Sequence, residues 1–164
     1  MSSSDFTVPD ICDAHGDKIA IGDIFLTSYG GIEKFFGEIR AVDCPHSNSV
    51  VKELVQENGE GKVLVINHSG DKLCSMVGDQ IALKAYENNW KGIFVNGYIR
   101  DIEVIKNISI GVFAKNAFPM KTDKTVGVGT KDTSFKIGSV EISSGNWIYV
   151  DNNGWVVSSK KLEL

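Results

Sequence analysis

The sequence predicts an α/β fold with a βαβ core and a β-rich C-terminal half. Residues 63–66 form a short apolar run with almost no alternation, which is typical of a strand buried on both faces of a parallel sheet. Apolar residues at helical spacing then predict a helix over 78–89, and the apolar run 92–95 predicts a second strand. Strand, helix and strand within about 33 residues form a βαβ unit, whose crossover is expected to be right-handed. After Pro119 the pattern changes to that of antiparallel hairpins.

The remaining elements follow from local patterns. An early proline in 8–15 favours a short helix, and the alternating residues 35–44 favour a strand. Asn48 or Ser49 can cap a helix that runs through Glu57. The further predicted elements are a loop over 67–77, a short helix over 101–107, a strand over 110–114, hairpins over 135–142 and 147–150, and a turn at 151–154. Residues 1–7 are expected to be frayed, and 1–164 to form a single domain.

Composition excludes several classes of protein. The 164 residues carry a net charge of −4, and no basic stripe is present, so direct binding of nucleic acid is not expected. No apolar run reaches the roughly 20 residues that span a bilayer, so no membrane partner is expected either. Three cysteines without CxxC spacing favour free thiols in a reducing compartment, and we therefore expect a cytoplasmic protein.

Two strand ends of the βαβ unit form the candidate binding site. The loop after residue 66 leads into a helix at Gly78, and the turn after residue 95 leads to Arg100. In open α/β sheets, ligands bind beyond the carboxyl ends of strands and against helix amino termini. The free N–H groups of Asp79, Gln80 and Ile81 would face such a ligand. Arg100 could supply a forked donor for a carboxylate, and Asp101 could hold a hard divalent cation.

Local spacing alone favours a simpler alternative, in which Asp79 caps its helix and Arg100 pairs with Asp101 or a neighbouring carboxylate.

Other candidate residues outside this site also have structural interpretations. Cys74 is expected to be a buried free thiol, and His68 a loop histidine that hydrogen-bonds the backbone. The segments 127–129 and 151–154 are expected to be turns rather than a phosphate loop or a calcium site.

Most of the chain resembles a known family. The segments that carry the resemblance are ICDAHG, YGG at 29–31, FFGEIRAVDC, NGEGKVLVINHSG, MVGDQIALKAYENNWKGIFVNGYIRDI and YVDNNGWVVSS. Over residues 8–158 the chain resembles the regulator of ribonuclease E activity A (RraA) family, which includes 4-hydroxy-4-methyl-2-oxoglutarate / 4-carboxy-4-hydroxy-2-oxoadipate aldolases. The resemblance implies a single compact α/β sandwich of the swivelling-domain type. It also implies a homotrimer or a dimer of trimers, with active sites at or near subunit boundaries.

The resemblance also implies a chemistry for the candidate site. The aldolases of the family carry an Asp, twenty residues and then Arg-Asp, which match Asp79 and Arg100-Asp101. Asp101 would hold Mg²⁺ or Mn²⁺, Arg100 would bind a small keto acid, and the N–H groups of 78–81 would receive its carboxylate. The implied reactions are retro-aldol cleavage and oxaloacetate decarboxylation, because both give a pyruvate enolate whose charge a metal and a guanidinium stabilise. A metal-bound water would take the 4-hydroxyl proton, with Asp79 orienting the waters.

One departure and one alternative accompany this resemblance. The family commonly has a glycine-rich loop where this chain has Asn67-His68-Ser69-Gly70, so the bulk of His68 is expected to narrow the pocket or alter the substrate. The alternative function is a protein-binding regulator, an inhibitor of a ribonuclease E-like partner, with a vestigial site. The acidic charge suits this second hypothesis, and the intact Asp79…Arg100-Asp101 set suits the first.

Overall fold

A computed structural model describes residues 5–123 and 128–164. Its helices are α1 (Val8–His15), α2 (Ser49–Leu54), α3 (Asp79–Glu87) and α4 (Ile102–Ile105). Its strands are β1 (Ile19–Ile21), β2 (Thr27–Ser28), β3 (Phe35–Cys44), β4 (Lys62–His68), β5 (Ser75–Val77), β6 (Gly92–Ile99), β7 (Gly111–Ala117), β8 (Thr130–Lys131), β9 (Phe135–Ile137), β10 (Val140–Ile142), β11 (Trp147–Asp151) and β12 (Gly154–Ser158). No helix in these two ranges is long and apolar enough to cross a membrane.

A mixed sheet forms the centre of the molecule, in the order β1-β12-β11-β3-β4-β6-β7-β2. The neighbours β3, β4, β6 and β7 are mutually parallel, which confirms the predicted βαβ core. β5 pairs with β6 beyond the end of β4. The carboxyl ends of the parallel strands therefore meet at one edge, and this edge carries the candidate site.

Burial on both faces explains the apolar run of β4. One face packs against α2, α3 and α4, where Leu64 and Ile66 are fully buried. The other face packs against the β9–β10 hairpin, where Val63 and Val65 are fully buried. Because neither face of this strand is exposed to water, both faces carry apolar residues and the sequence does not alternate between apolar and polar residues.

The C-terminal hairpins are confirmed, but they lie in different sheets: β9 and β10 form a separate two-stranded sheet, whereas β11 and β12 extend the central sheet. β11 pairs antiparallel with β3 on one side and with β12 on the other. The turn at 151–154 joins these two strands, and the Asp151 carboxylate accepts the N–H of Val8 (2.8 Å) and of Asn153 (2.8 Å). The aspartate of this turn therefore ties the start of α1 to the sheet.

Residues 5–7 pack against the sheet, although the predicted frayed segment covers 1–7, and residues 1–4 lie outside the described residues. Phe6 is buried against the rings of Phe36 and Tyr149. The Thr7 hydroxyl accepts the N–H of Asp10 (3.2 Å) and caps α1, whose predicted bounds are confirmed. Aromatic packing with residues far along the chain fixes this end, which local composition does not reveal.

The two predicted helices of the core are shorter than expected. α2 ends at Leu54 and not at Glu57, because the N–H groups of Gln56 and Glu57 bond three residues back and the chain leaves the α-helix as a tighter turn. α3 ends at Glu87, where Asn89 adopts a left-handed conformation (φ 70°) that ends the helix.

β6 is longer than predicted, because Asn96-Gly97 is not a turn. The strand continues to Ile99, with an irregular register between Val95 and Tyr98. A Cβ at position 97 would lie 2.9 Å from the Cβ of His68, so only glycine lets the neighbouring strands approach here. Pairing on both sides thus overrides the local preference of Asn-Gly for a turn.

Phe35 supports the amino-terminal side of the parallel sheet, and its replacement tests this packing. Its buried ring lies over Gly92 and Gly111, where a Cβ would come within 2.5 Å and 2.1 Å of ring atoms. Phe35→Ala is expected to lower the free energy of unfolding by about 3–5 kcal/mol, because it leaves a cavity between strands. Urea unfolding measures this loss.

Phe25 is the matched control, because its side chain is 89% exposed. Phe25→Ala is expected to change the free energy of unfolding by less than about 0.5 kcal/mol. Equal effects of the two substitutions would contradict the assigned packing.

Candidate active site

The candidate site is a cavity of about 140 Å³ at the amino terminus of α3 and the carboxyl ends of β5 and β6. Its lining brings together every site residue predicted from the sequence. The lining residues are Asn48, Lys52, Ser75, Gly78, Asp79, Gln80, Ile81, Arg100, Asp101, Lys121 and Thr122. Larger surface grooves exist elsewhere, but this cavity holds the charged groups that the sequence singled out.

Gly78 is the N-cap of α3, and its missing side chain allows the two halves of the site to meet. A Cβ at this position would lie 2.8 Å from Oδ2 of Asp101 and 3.8 Å from Nε of Arg100. The glycine therefore lets the end of β6 approach the helix amino terminus. The first N–H groups of α3 have no partners within the helix, and the helix dipole favours an anion beside them.

Asp101 reaches that helix terminus through an unusual backbone conformation. Its φ and ψ are 62° and 38°, the left-handed region that non-glycine residues rarely adopt. This turn carries its carboxylate across to α3, where Oδ2 accepts the N–H of Asp79 at 3.1 Å. Backbone strain of this kind concentrates at functional sites, where surrounding contacts hold it in place.

Arg100 is held by backbone carbonyls and not by a carboxylate. Its N–H donates to the carbonyl of Val77 (3.0 Å), and its Nη1 donates to the carbonyl of Pro119 (3.3 Å). Among the ion pairs of residues 5–123 and 128–164, none includes Arg100. The simpler alternative, an Arg100-Asp101 ion pair, is therefore not what the structure forms, and the guanidinium keeps donors for a ligand.

Asp79 does not cap α3 either, because it is the first helical residue and Gly78 occupies the cap without a side-chain bond. The Asp79 carboxylate instead borders the cavity beside Asp101. Asp79, at the start of α3, and Asp101, the residue after Arg100, therefore line the same cavity as the guanidinium of Arg100. The arrangement can bind an anion and a cation side by side.

This donor set fits an open site for a hard divalent cation better than a metal site that is closed by protein ligands. Within the described part of the chain, no group of three or more His, Cys, Asp or Glu side chains is placed to hold a metal. Mg²⁺ is often bound by one or two carboxylates, with water and substrate oxygens completing its shell. The carboxylate of Asp101 is exposed, and its Oδ1 takes no part in the bond to Asp79. Asp101, with Asp79 nearby, therefore fits such an open site.

None of the residues 67–70, which stand in place of the glycine-rich loop, is among the residues that line the cavity. Asn67 donates to Asp43 (2.9 Å) and accepts from Asn96 (2.9 Å), so it links the ends of three parallel strands. His68 lies against Gly97 on the neighbouring strand, which places its bulk between strands.

The environment of His68 is apolar and weakly cationic. Burial lowers the pKa of its imidazole, and the nearby His46 and Lys115 lower it further. The imidazole hydrogen-bonds the backbone of Lys72, as predicted, but His68 is the last residue of β4 and not part of a loop. The Sγ of Cys74 lies 3.7 Å from its Nε2. Cys74 is a buried free thiol, as predicted.

Of the predicted turn 127–129, residue 127 lies outside the described residues.

Five of the residues that line the cavity were not predicted as site residues. They are Asn48, Lys52, Ser75, Lys121 and Thr122. Asn48 was considered only as a helix cap, but its side chain makes no cap bond in α2. Lys121 and Thr122 come from a segment that carries no motif. Their place in the site depends on contacts between residues more than 40 positions apart, which no local pattern encodes.

Comparison with known proteins assigns the chain to a family. A family model described as RraA-like: Aldolase/RraA matches residues 8–157. The chain belongs to the RraA-like family. A relative from Marinomonas sp. (strain MWYL1), named "Putative 4-hydroxy-4-methyl-2-oxoglutarate aldolase", is 43% identical to this RraA-like chain over 157 residues, which is 96% of this chain and 97% of the relative. A protein of the same name from Pseudomonas putida (strain W619) is 38% identical over 159 residues, 97% of each chain.

Solved structures of the family share the fold. The crystal structure of a protein named S-adenosylmethionine: 2-dimethylmenaquinone methyltransferase from Geobacillus kaustophilus HTA426 has a TM-score of 0.91 and 33% identity, covering 96% of this chain and 97% of that one. The RNA-processing inhibitor RraA from Thermus thermophilis has a TM-score of 0.91 and 27% identity, covering 97% and 96%. These likenesses confirm the predicted RraA-like α/β fold. The names of these relatives and structures describe different activities.

The lowered pKa of His68 predicts that the folded state loses stability as the pH falls. The unfolded chain binds a proton near the ordinary pKa of 6.5, whereas folded His68 does so only at lower pH. The unfolded state thus carries more protons below about pH 6.5, and protonation favours unfolding there. Urea unfolding of the wild type should show a loss of stability between pH 7 and pH 5 that is smaller in His68→Asn. His15→Asn is the control, and equal losses in His68→Asn and the wild type would contradict the buried neutral imidazole.

Proposed function

We propose that this protein is a divalent-metal-dependent lyase that cleaves keto acids of the 4-hydroxy-4-methyl-2-oxoglutarate type and decarboxylates oxaloacetate. The observation that carries the proposal is the meeting of Arg100, Asp101 and the amino terminus of α3 on one cavity. The names of the relatives at about 40% identity support an aldolase. Both reactions pass through the enolate of pyruvate, so one site can serve both.

The amino terminus of α3 and Arg100 bind the keto acid. A substrate carboxylate would accept the N–H groups of 78–81, where Oδ2 of Asp101 now accepts that of Asp79. The guanidinium of Arg100, fixed through the carbonyls of Val77 and Pro119, would donate to the keto group. A substrate held by these donors would have the bond between its C3 and C4 atoms inside the cavity.

Bond cleavage develops negative charge that these donors stabilise. In the retro-aldol reaction the C3–C4 bond breaks, its electron pair becomes the enolate of pyruvate, and the 4-hydroxyl loses its proton as C4 becomes a carbonyl. In oxaloacetate the same bond breaks and the carboxylate leaves as CO₂. Arg100 and the helix terminus face the growing charge of the enolate and need no covalent lysine intermediate. Asp79, at the edge of the cavity, would orient the water that takes the hydroxyl proton.

Mg²⁺ or Mn²⁺ is the cofactor that we propose for this site. The exposed carboxylate of Asp101 would hold the ion. Water would supply most of its other ligands, because no group of three or more His, Cys, Asp or Glu side chains in the described residues is placed to do so. When bound, the ion supplies a Lewis acid that draws charge from the keto oxygen. The protein's own part is to fix Asp101 and Arg100 in adjacent positions.

Pyruvate release tests the lyase. With oxaloacetate and Mg²⁺ or Mn²⁺, the protein is expected to form pyruvate well above the rate of metal alone, and EDTA should abolish the difference. Asp101→Asn and Arg100→Lys are each expected to lower kcat about 10²–10³-fold, because the first removes the carboxylate that would hold the metal ion and the second removes the forked donor that faces the enolate. A coupled lactate dehydrogenase assay follows the product.

Glu103→Gln is the matched control, since Glu103 is an exposed carboxylate two residues from Asp101 that does not line the cavity. Its activity should equal that of the wild type. A wild-type rate no higher than that of metal alone would overturn the lyase. Full activity in Asp101→Asn would overturn the metal assignment alone.

A second candidate function is regulation of a ribonuclease E-like protein. The observations that favour it are the likeness to the RNA-processing inhibitor RraA and the net charge of −4, which suits a basic partner. A pull-down against the basic disordered region of such a ribonuclease, read at two salt concentrations, tests it. Binding that Asp101→Asn leaves intact would separate this function from the catalytic one.

A further inference from the structure

Residues 118–122, which we call the strap, run beside β5 and carry the carbonyl that holds the side chain of Arg100. That carbonyl belongs to Pro119 and accepts Nη1 of Arg100 at 3.3 Å. Ser75, the first residue of β5, bonds the strap on both sides of it. The Ser75 hydroxyl donates to the carbonyl before that of Pro119, and its N–H donates to the carbonyl after it (2.8 Å). The guanidinium is therefore placed by an acceptor whose own position depends on how the strap is attached to β5.

Asn48 attaches the strap to the next residue of β5 through its side-chain amide. Its Nδ2 donates to the carbonyl of Met76 (2.9 Å), and its Oδ1 accepts the hydroxyl of Thr122 (3.0 Å). Asn48 and Thr122 both line the cavity and are only 7% and 3% exposed. A buried polar group that loses its partner costs free energy, so these two bonds fix the spacing of β5 and the strap.

Arg100 bridges the same two segments. Its N–H donates to the carbonyl of Val77 on β5 (3.0 Å), and its guanidinium donates to Pro119 on the strap. Met76 and Val77 are the last two residues of β5, and Gly78, the cap of α3, follows them directly. A shift of the strap relative to β5 would therefore move the guanidinium relative to the N–H groups of α3.

We propose that Asn48 and Thr122 are positioning residues, whose hydrogen bond sets the distance between the guanidinium of Arg100 and the amino terminus of α3. The proposal rests on the proposed function, in which these two groups bind the keto group and the carboxylate of one keto acid. Both polar atoms of the Asn48 side chain already have protein partners, and so has the Thr122 hydroxyl. An amide suits this place, because it offers a donor to a carbonyl and an acceptor to a hydroxyl.

Two small anions distinguish a misplaced guanidinium from a general loss of structure. Oxalate is a planar dianion that resembles the enolate of pyruvate, whereas pyruvate itself lacks the enolate charge. Isothermal titration with saturating Mg²⁺ gives the ratio of their dissociation constants, which does not depend on the fraction of folded protein. The wild type is expected to bind oxalate at least about 10²-fold more tightly than pyruvate, because Arg100 faces the enolate charge.

Thr122→Val removes the hydroxyl that bonds Asn48 and keeps the shape of the side chain. It is expected to lower the preference for oxalate about tenfold, because a small displacement of the guanidinium weakens its bond to the charged oxygen. Thr122→Ser keeps the hydroxyl and should keep the preference. Asn48→Ala should lower the preference at least as much as Thr122→Val, and the two substitutions together no further than Asn48→Ala alone.

The variant Arg100→Lys shows whether the effect passes through Arg100. Since the forked donor is then absent, Thr122→Val should change the remaining preference by less than about twofold on that background. A full tenfold loss on the same background would mean that Thr122 acts on the ligand by another route, and it would overturn the positioning role.

Thr27→Val is the matched control, since Thr27 is an exposed threonine on β2 that does not line the cavity. It should leave the preference unchanged. Equal binding of oxalate and pyruvate by the wild type, binding of neither, or an unchanged preference in Thr122→Val would overturn the positioning role. Selective binding of oxalate without any release of pyruvate from oxaloacetate would overturn the lyase and leave the positioning role standing.

Discussion

The hydrogen bond from the Asp79 N–H to Oδ2 of Asp101, 3.1 Å long, is the contact on which the site depends. It joins the end of β6 to the start of α3, which are adjacent elements of the βαβ unit. Two local features permit it: Gly78 has no Cβ to block the carboxylate, and Asp101 adopts a left-handed conformation. The same contact keeps an anion at the helix terminus, as a ligand carboxylate would be held. Arg100 is held beside this contact because its N–H donates to the carbonyl of Val77, the last residue of β5.

The parallel strands explain why the site forms where it does. β3, β4, β6 and β7 end at one edge, and the polar side chains that follow their apolar runs collect there. Asn67, at the end of β4, links the ends of β3 and β6 by bonding both Asp43 and Asn96. The antiparallel strands β11 and β12 extend the sheet on its other side and leave this edge open. The sheet thus supplies the rigid support that a binding site needs.

The distribution of charge separates the two functions considered for the chain. A net charge of −4 suits contact with a basic protein, whereas the cavity concentrates three cations around two carboxylates. Side chains of both signs in one cavity suit a small anion together with a cation, and the buried bonds of Asn48 to Met76 and Thr122 fix part of the cavity wall. A regulatory surface would not require that construction. The lyase therefore accounts for more of the structure than the regulator does.

The sequence by itself determined the elements and the central site residues. The bounds of α1 and β3 and the parallel βαβ core could be predicted because apolar periodicity and helix caps are local. Asp79, Arg100 and Asp101 could be grouped because they match the motif of the family that the sequence resembles, whereas their local spacing alone favoured a structural ion pair. Only the tertiary structure decided the rest. It extended β6 through Asn96-Gly97, ordered Phe6, and brought Lys121 and Thr122 to Asn48. The physical reason is that these outcomes depend on pairing and packing between distant segments, which overrides local preference and leaves no trace in the spacing of neighbouring residues.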